Sequence, residues 1–194
     1  MPPCDRTSGR AVRIVAVTGT GNSVPKGGVV VPIAGCDPVP WANGGGITRV
    51  IATRAGVYRL SLATIAEPGP FSPCPALVRH FALVAGAVGL SGPDAPFPVD
   101  LDTASPPLTF AGHSAVHAVV HAGPALALNL MVPVGAPPLQ MERCDDGVVR
   151  NALAVFACAP LWVDLASGRV DLALHDTLFP DGSFRVTGPA LVVR

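Results

Sequence analysis

Short apolar runs separated by turn residues dominate the chain. They fall at 11–17, 29–33, 57–65, 80–88, 126–132, 148–158, 169–174 and 183–193, each bounded by Gly, Pro, Asp or Asn. Runs of this length, rich in Val and closely punctuated, predict the strands of a sandwich or barrel. Helical periodicity is thin. Only 148–159 is long enough for a few turns, and its Val-Phe-Ala-Cys sequence suits a buried strand equally well. Asp145-Asp146-Gly147 and Pro180-Asp181-Gly182-Ser183 place Asp-Gly between apolar runs, which predicts hairpin turns. Residues 92–107 hold five Pro and three Asp and read as a loop or polar crossing. Residues 1–27 read as an N-terminal extension or first strand, and 28–194 as a single domain. The fold class is all-β.

Composition narrows the function. Lys+Arg is 13 and Asp+Glu is 13, so the net charge is zero, unlike the basic footprint of a duplex-binding protein. With 49% hydrophobic and 13% charged residues, the chain has too much to bury for intrinsic disorder. Lys26 is the one lysine among 13 basic residues, which reflects coding bias rather than function. The five cysteines (Cys4, Cys36, Cys74, Cys144, Cys158) are odd in number and lack a C-x-x-C pair, so they read as small buried thiols. The first ten residues carry no signal-peptide apolar core. The uncharged stretch 103–141 is interrupted by His117, His121, Asn129 and Gly123-Pro124, which a spanning helix would not tolerate. A cytoplasmic protein without a membrane partner is the expectation.

Several polar groups stand out against this background. Pro40-Trp41-Ala42-Asn43-Gly44-Gly45-Gly46-Ile47-Thr48-Arg49 is the densest cluster. Its glycines suit positive φ or a close approach to a ligand or neighbouring strand. Trp41, Asn43, Thr48 and Arg49 supply stacking and hydrogen-bonding groups, so the segment is either a tight turn or a binding loop. In Tyr58-Arg59-Leu60-Ser61-Leu62, strand alternation puts Arg59 and Ser61 on one face. An inward Arg cannot shed its proton, so it requires an internal Asp or a bound carboxylate. Arg79 follows Gly69-Pro70-Phe71-Ser72 and reads by itself as an exposed Arg after a proline-shaped turn. Asn129 and Met131 share a strand face, with Asn129 buried and hydrogen-bonded.

Near-matches to catalytic motifs fail on their own terms. Gly19-Thr20-Gly21 lacks the third glycine of a dinucleotide fingerprint, and 21–26 lacks the glycine before a P-loop lysine. Gly112-His113-Ser114-Ala115-Val116 ends in Val where a nucleophile elbow needs Gly. His113, His117 and His121 recur every four residues, but on strands the outer two lie ~26 Å apart, too far to share a metal.

Taken together, the clusters resemble the HutD/Ves family. Its members carry Pro-Trp-Lys-Asn-Gly-Gly-Gly-x-Thr-Arg-Glu-Ile, then Arg-Leu-Ser, Gly-Pro-Phe-Ser, Asp-Arg before an apolar strand, and Gly-Pro-x-x-Asp-Leu-Asn-Leu-Met. The matching stretches here are 40–52, 59–63, 69–72, 79–86, 110–112 and 123–131, in family order. The resemblance implies a bicupin, two small jelly-roll barrels in one chain, with 148–194 contributing to the second. It also implies a link to histidine utilisation, through binding of a pathway metabolite. The Ves branch is tied instead to stress response. Four family charges are absent: the Lys is Ala42, the Glu is Val50, and the two Asp are Val78 and Ala127. The His-x-His of metal-binding cupins is also missing, so neither a metal nor another cofactor is expected.

The leading expectation is a non-catalytic binding protein for a small anionic metabolite such as urocanate or formylglutamate. Arg59 would clamp the carboxylate through its planar fork. Ser61 and Asn129 would hydrogen-bond beside it, and Trp41 and Phe71 would wall the pocket. Asn43, Thr48, Arg49, Arg79 and Met131 complete the candidate set. A metal-free enzyme acting on a small acid is the alternative, with His80, His113 or Glu67 as acid or base. A third reading is an assembly role, since a neutral, apolar chain favours a homodimer.

Overall fold

The structure, a computed structural model, describes residues 13–14 and 28–194. The rest of the 1–27 extension lies outside the described residues. In chain order the strands are β1 (Arg13–Ile14), β2 (Val29–Val31), β3 (Pro38–Pro40), β4 (Gly46–Arg54), β5 (Tyr58–Ile65) and β6 (Gly69–Pro70). Next come β7 (Leu77–Ser91), β8 (Val99–Leu101), β9 (Leu108–Ala111) and β10 (His117–Pro133). The last six are β11 (Met141–Val149), β12 (Ala154–Ala157), β13 (Leu161–Leu165), β14 (Gly168–Leu172), β15 (Thr177–Phe179) and β16 (Phe184–Val193). A single 3₁₀ turn, Ile33–Gly35, is the one helical element among the described residues. The all-β expectation is met.

The strands form two compact units. Of the described residues, the first takes in Arg13 and Asp37–Pro138, and the second combines Ile14 and residues 28–36 with Leu139–Arg194. The first unit's nine-stranded sheet runs β1-β4-β5-β10-β7-β8, with β3 on β4, β6 on β10 and β9 on β7. Its core gathers Ile65, Phe71, Phe81, Leu83, Leu90 and Phe110 on one face. Leu60, Leu62, Leu128 and Leu130, which alternate to the other face, are buried as well. The second unit's seven-stranded sheet runs β14-β13-β16-β12-β15-β2, with β11 on β16. Val155, Val163, Leu178, Phe184 and Val186 fill its core.

Several local expectations change in the folded chain. Asp145-Asp146-Gly147 is no hairpin turn. It lies inside β11, opposite β16, where the pairing steps from Cys144↔Ala190 to Asp146↔Thr187. That step skips two residues of β16 against one of β11, a bulge at Gly188-Pro189 that takes up the local irregularity. Pro180–Ser183 does turn the chain, with Gly182 at φ +73°. Yet it joins β15 to β16, which pair with β12 and not with each other. The run 148–158 is neither one helix nor one strand. It breaks between β11 and β12, where Asn151 adopts φ +56°. Residues 92–107 hold β8 within their proline-rich crossing, and the uncharged 103–141 stretch folds into β9 and β10. No described helix is long and apolar enough to cross a membrane. Cys36, Cys144 and Cys158 form no disulfide, whereas Cys74 is disulfide-bonded, contrary to the reading of all five as thiols.

Candidate functional site

The candidate residues come together through strand register. β10 lies between β5 and β7, and its partners share a face with it. Met131 pairs with Arg59 on one side and Arg79 on the other, and Arg79 in turn pairs with Phe110 on β9. Asn129 pairs with Ser61 and Phe81, which makes the adjoining row. Alternation along β5 and β10 then places Ala63 and Ala127 on the same face. The result is a basic row, Arg59-Met131-Arg79, beside a polar pair, Ser61-Asn129.

Arg79 is not the exposed residue its turn implied. It is 2% exposed, because β7 continues through it as a central strand. Its guanidinium lies 5.0 Å from the Phe71 ring centroid and 5.3 Å from that of Phe110. Nη2 donates to Asn129 Oδ1 at 3.4 Å. Burial, with the nearby Arg59 charge adding to it, pushes the Arg79 pKa down to about 10. Arg59 is half-buried, and burial lowers its pKa too. Among the described residues its guanidinium makes no hydrogen bond or ion pair. Two cations thus share one face, and none of the paired residues there is a carboxylate. Two of the absent family charges fall on this face. Val50 pairs with Ser61, and Ala127 pairs with Ala63 and Leu83.

Trp41, Phe71, Phe81, Arg79 and Asn129 line a crevice over Ala63 and Ile65. It is too narrow to seat a water molecule. Trp41 is fixed by its indole N–H, which donates to Thr48 Oγ1 at 2.8 Å. The glycines explain how the ring gets there. Gly44 takes φ +73° in the turn, and at Gly46 a Cβ would lie 2.2 Å from the Thr64 carbonyl and 3.1 Å from the Trp41 ring. The segment is therefore a tight turn that seats Trp41. Asn43 belongs to that turn, its Oδ1 accepting from Gly45 N–H at 3.1 Å, and its side chain is exposed. Arg49 pairs with Leu62 and so lies on the opposite face from Arg59. The register brings Arg59, Ser61, Thr48, Asn129, Met131 and Arg79 to one face, with Trp41 and Phe71 on the crevice, but not Asn43 or Arg49. Phe81 and Phe110 were missed. Both lie in stretches that carry the family resemblance, 79–86 and 110–112, but neither was singled out as a site residue.

The acid–base candidates stand elsewhere. His80 alternates to the other face of β7, where its Nδ1 lies 2.9 Å from Thr109 Oγ1. His113 and Glu67 are exposed. His121 Nε2 meets Asp100 Oδ1 at 3.1 Å, and no described group of three or more His, Cys, Asp or Glu is placed to hold a metal ion.

Solved structures of low identity share this architecture. The Ylba protein of E. coli is 8% identical at TM-score 0.62, covering 84% of this chain and 88% of that one. A cupin 2 conserved barrel domain protein from Leptotrichia buccalis is 8% identical at TM-score 0.55, covering 76% and 88%. The fold is thus that of a cupin-type all-β protein. Within that class the chain belongs to the HutD family, whose profile matches residues 35–188. HutD from Pseudomonas fluorescens SBW25, solved in a formate condition, is 27% identical at TM-score 0.73, covering 86% of this chain and 96% of that one. A conserved protein of unknown function from Pseudomonas aeruginosa PAO1 is 27% identical at TM-score 0.69, covering 85% and 95%. No curated protein matches.

Proposed function

We propose that this chain is a non-catalytic bicupin, each compact unit one jelly roll, that binds a small carboxylate metabolite through Arg59. One observation carries the reading: the Arg59 guanidinium is half-buried, has no ion pair among the described residues and stands beside a second guanidinium. Like charges brought together out of water repel, and an anion at Arg59 relieves both the repulsion and the desolvation. In this reading Arg59 grips the carboxylate and Ser61 and Asn129 hydrogen-bond to it. Trp41 and Phe71 wall its apolar part. The HutD family supplies the context, histidine utilisation, and with it the acids to test. The enzyme alternative draws less support: His80 alternates to the other face of β7, and His113 and Glu67 are exposed side chains.

Thermal denaturation against urocanate, formylglutamate, glutamate, formate and citrate tests the reading. A ligand at 100 times its Kd stabilises by about 2.7 kcal/mol. At ~2–4 °C per kcal/mol that raises Tm by about 5–10 °C. At least one acid should produce this shift, and Arg59→Met should abolish it while Tm without ligand stays within a few degrees. A shift that survives Arg59→Met removes Arg59 from the site.

A further inference from the structure

The second unit ends its sheet on an open strand. β14 stands at one end of the seven-stranded sheet, and β13 is its one paired neighbour among the described residues. An edge strand leaves half of its backbone N–H and C=O groups facing outward, ready to pair with another chain. Natural sheets guard such edges with bulges or with charge. β14, Gly168–Leu172, does carry charge, but not of one sign. Arg169 and Asp171 flank Val170, so alternation puts both on the same face, and both are exposed.

The neighbouring strand extends this pattern. Across the ladder to β13, Asp171 pairs with Trp162 and Arg169 with Asp164. The Arg169 guanidinium lies 4.8 Å from the Trp162 ring centroid, and its Nε donates to Asp164 Oδ1 at 3.2 Å. Both members of that ion pair are exposed, so it is weak and leaves Arg169 donors for a second carboxylate. The Asp171 carboxylate makes no hydrogen bond or ion pair among the described residues. On the other face, Val170 packs against the unit's core but is only partly buried.

The order Arg169-Val170-Asp171 decides what this edge can pair with. A closed dimer relates its two copies by a two-fold axis, so β14 would meet β14 antiparallel. Paired residues then share a face only in registers centred on a single residue. A centre on Arg169 sets guanidinium against guanidinium, and a centre on Asp171 sets carboxylate against carboxylate. A centre on Val170 overlaps the whole strand and places Arg169 opposite Asp171 of the second copy, twice by symmetry. Opposite charges directly across a ladder favour pairing, and like charges oppose it.

We propose that the β14 edge is a homotypic interface, at which two copies of this chain pair antiparallel about Val170 and join their sheets. The exposed face then carries a continuous row, Trp162 and Asp171 of one copy beside Arg169 and Asp164 of the other. Val170 meets its own counterpart, which covers the part that water now reaches. The zero net charge of the chain adds no general repulsion between copies. With one short strand from each side, the dimer belongs to the small, reversible class of interfaces. It does not depend on what the first unit binds.

Sedimentation velocity of the full chain tests the interface. Between about 10 µM and 1 mM, where small interfaces assemble, the weight-average mass should climb from one chain toward two. Asp171→Arg and Arg169→Asp each set like charges opposite one another twice, and each should weaken the dimer about tenfold or more. Mixed in equal amounts, the two variants regain both opposite-charge pairs and should associate about as tightly as the wild type. The changed positions are exposed, so circular dichroism and Tm should stay at wild-type values in both variants. A wild-type chain that stays monomeric over this range overturns the proposal. So does a dimer that neither charge reversal weakens, or a mixture of the two variants that fails to associate.

Discussion

A charged side chain inside a sheet has to be answered by something. Arg79 is answered partly by two aromatic rings and Asn129, while the Arg59 guanidinium has no hydrogen bond or ion pair among the described residues. His80 shows the neutral counterpart one residue away. It is 8% exposed, and burial lowers its pKa below the ordinary value of 6.5. The unfolded chain therefore takes up this proton before the folded one does. The stability His80 contributes is complete above pH 6.5 and falls as the pH drops through 6.5 toward its lower folded value. Thermal scans at pH 7.5 and 5.5 should show a Tm loss on acidification that is smaller in His80→Asn, which can still bond to Thr109. At this scale the sequence was legible where alternation sufficed: Arg59, Ser61, Asn129 and Met131 follow from period two. It misjudged Arg79, because exposure depends on which strands flank β7, and those come from 108–111 and 117–133.

At the scale of elements, the Gly-rich turn shows two glycines required for different reasons. Gly44 needs only a positive φ in open space, so Gly44→Ala should cost about 1–2 kcal/mol. At Gly46 a Cβ would press on the Thr64 carbonyl and the Trp41 ring, so Gly46→Ala should cost about 3 kcal/mol or more and disturb the β4–β5 start. Urea denaturation should rank the two variants in that order. Equal losses would mean that β4 shifts to absorb the clash. Strand existence was legible from punctuation, but pairing was not. Asp-Gly suits a bend of the backbone, and a place in a strand opposite a bulge of its partner accommodates it as well as a turn does. The 145–147 segment therefore looked like the end of a hairpin although it lies inside one long strand.

For the whole molecule, the second unit takes one strand from far upstream. β2 pairs with β15 at the edge of the seven-stranded sheet, and Val31 is 1% exposed. Asp176 reinforces the join, its Oδ1 accepting from Ile33 N–H at 3.1 Å. Val31→Ala should destabilise this unit by about 2 kcal/mol. Each unit holds one tryptophan, so a Trp41→Phe background lets Trp162 report on the second unit alone. The Trp162 transition should move to lower temperature in Val31→Ala; an unmoved transition would mean that β2 adds nothing to that sheet. By itself the sequence determined the all-β class, the strand faces, the family resemblance and most of the arginine row, because side-chain alternation and turn chemistry act over a few residues. Only the tertiary structure decided that β2 joins β15 and that Arg79 is covered by Phe71 and Phe110. It also decided that Arg49 points away from Arg59. Those facts depend on pairings between distant segments, where a shift of one residue exchanges the two faces and no local pattern records the choice.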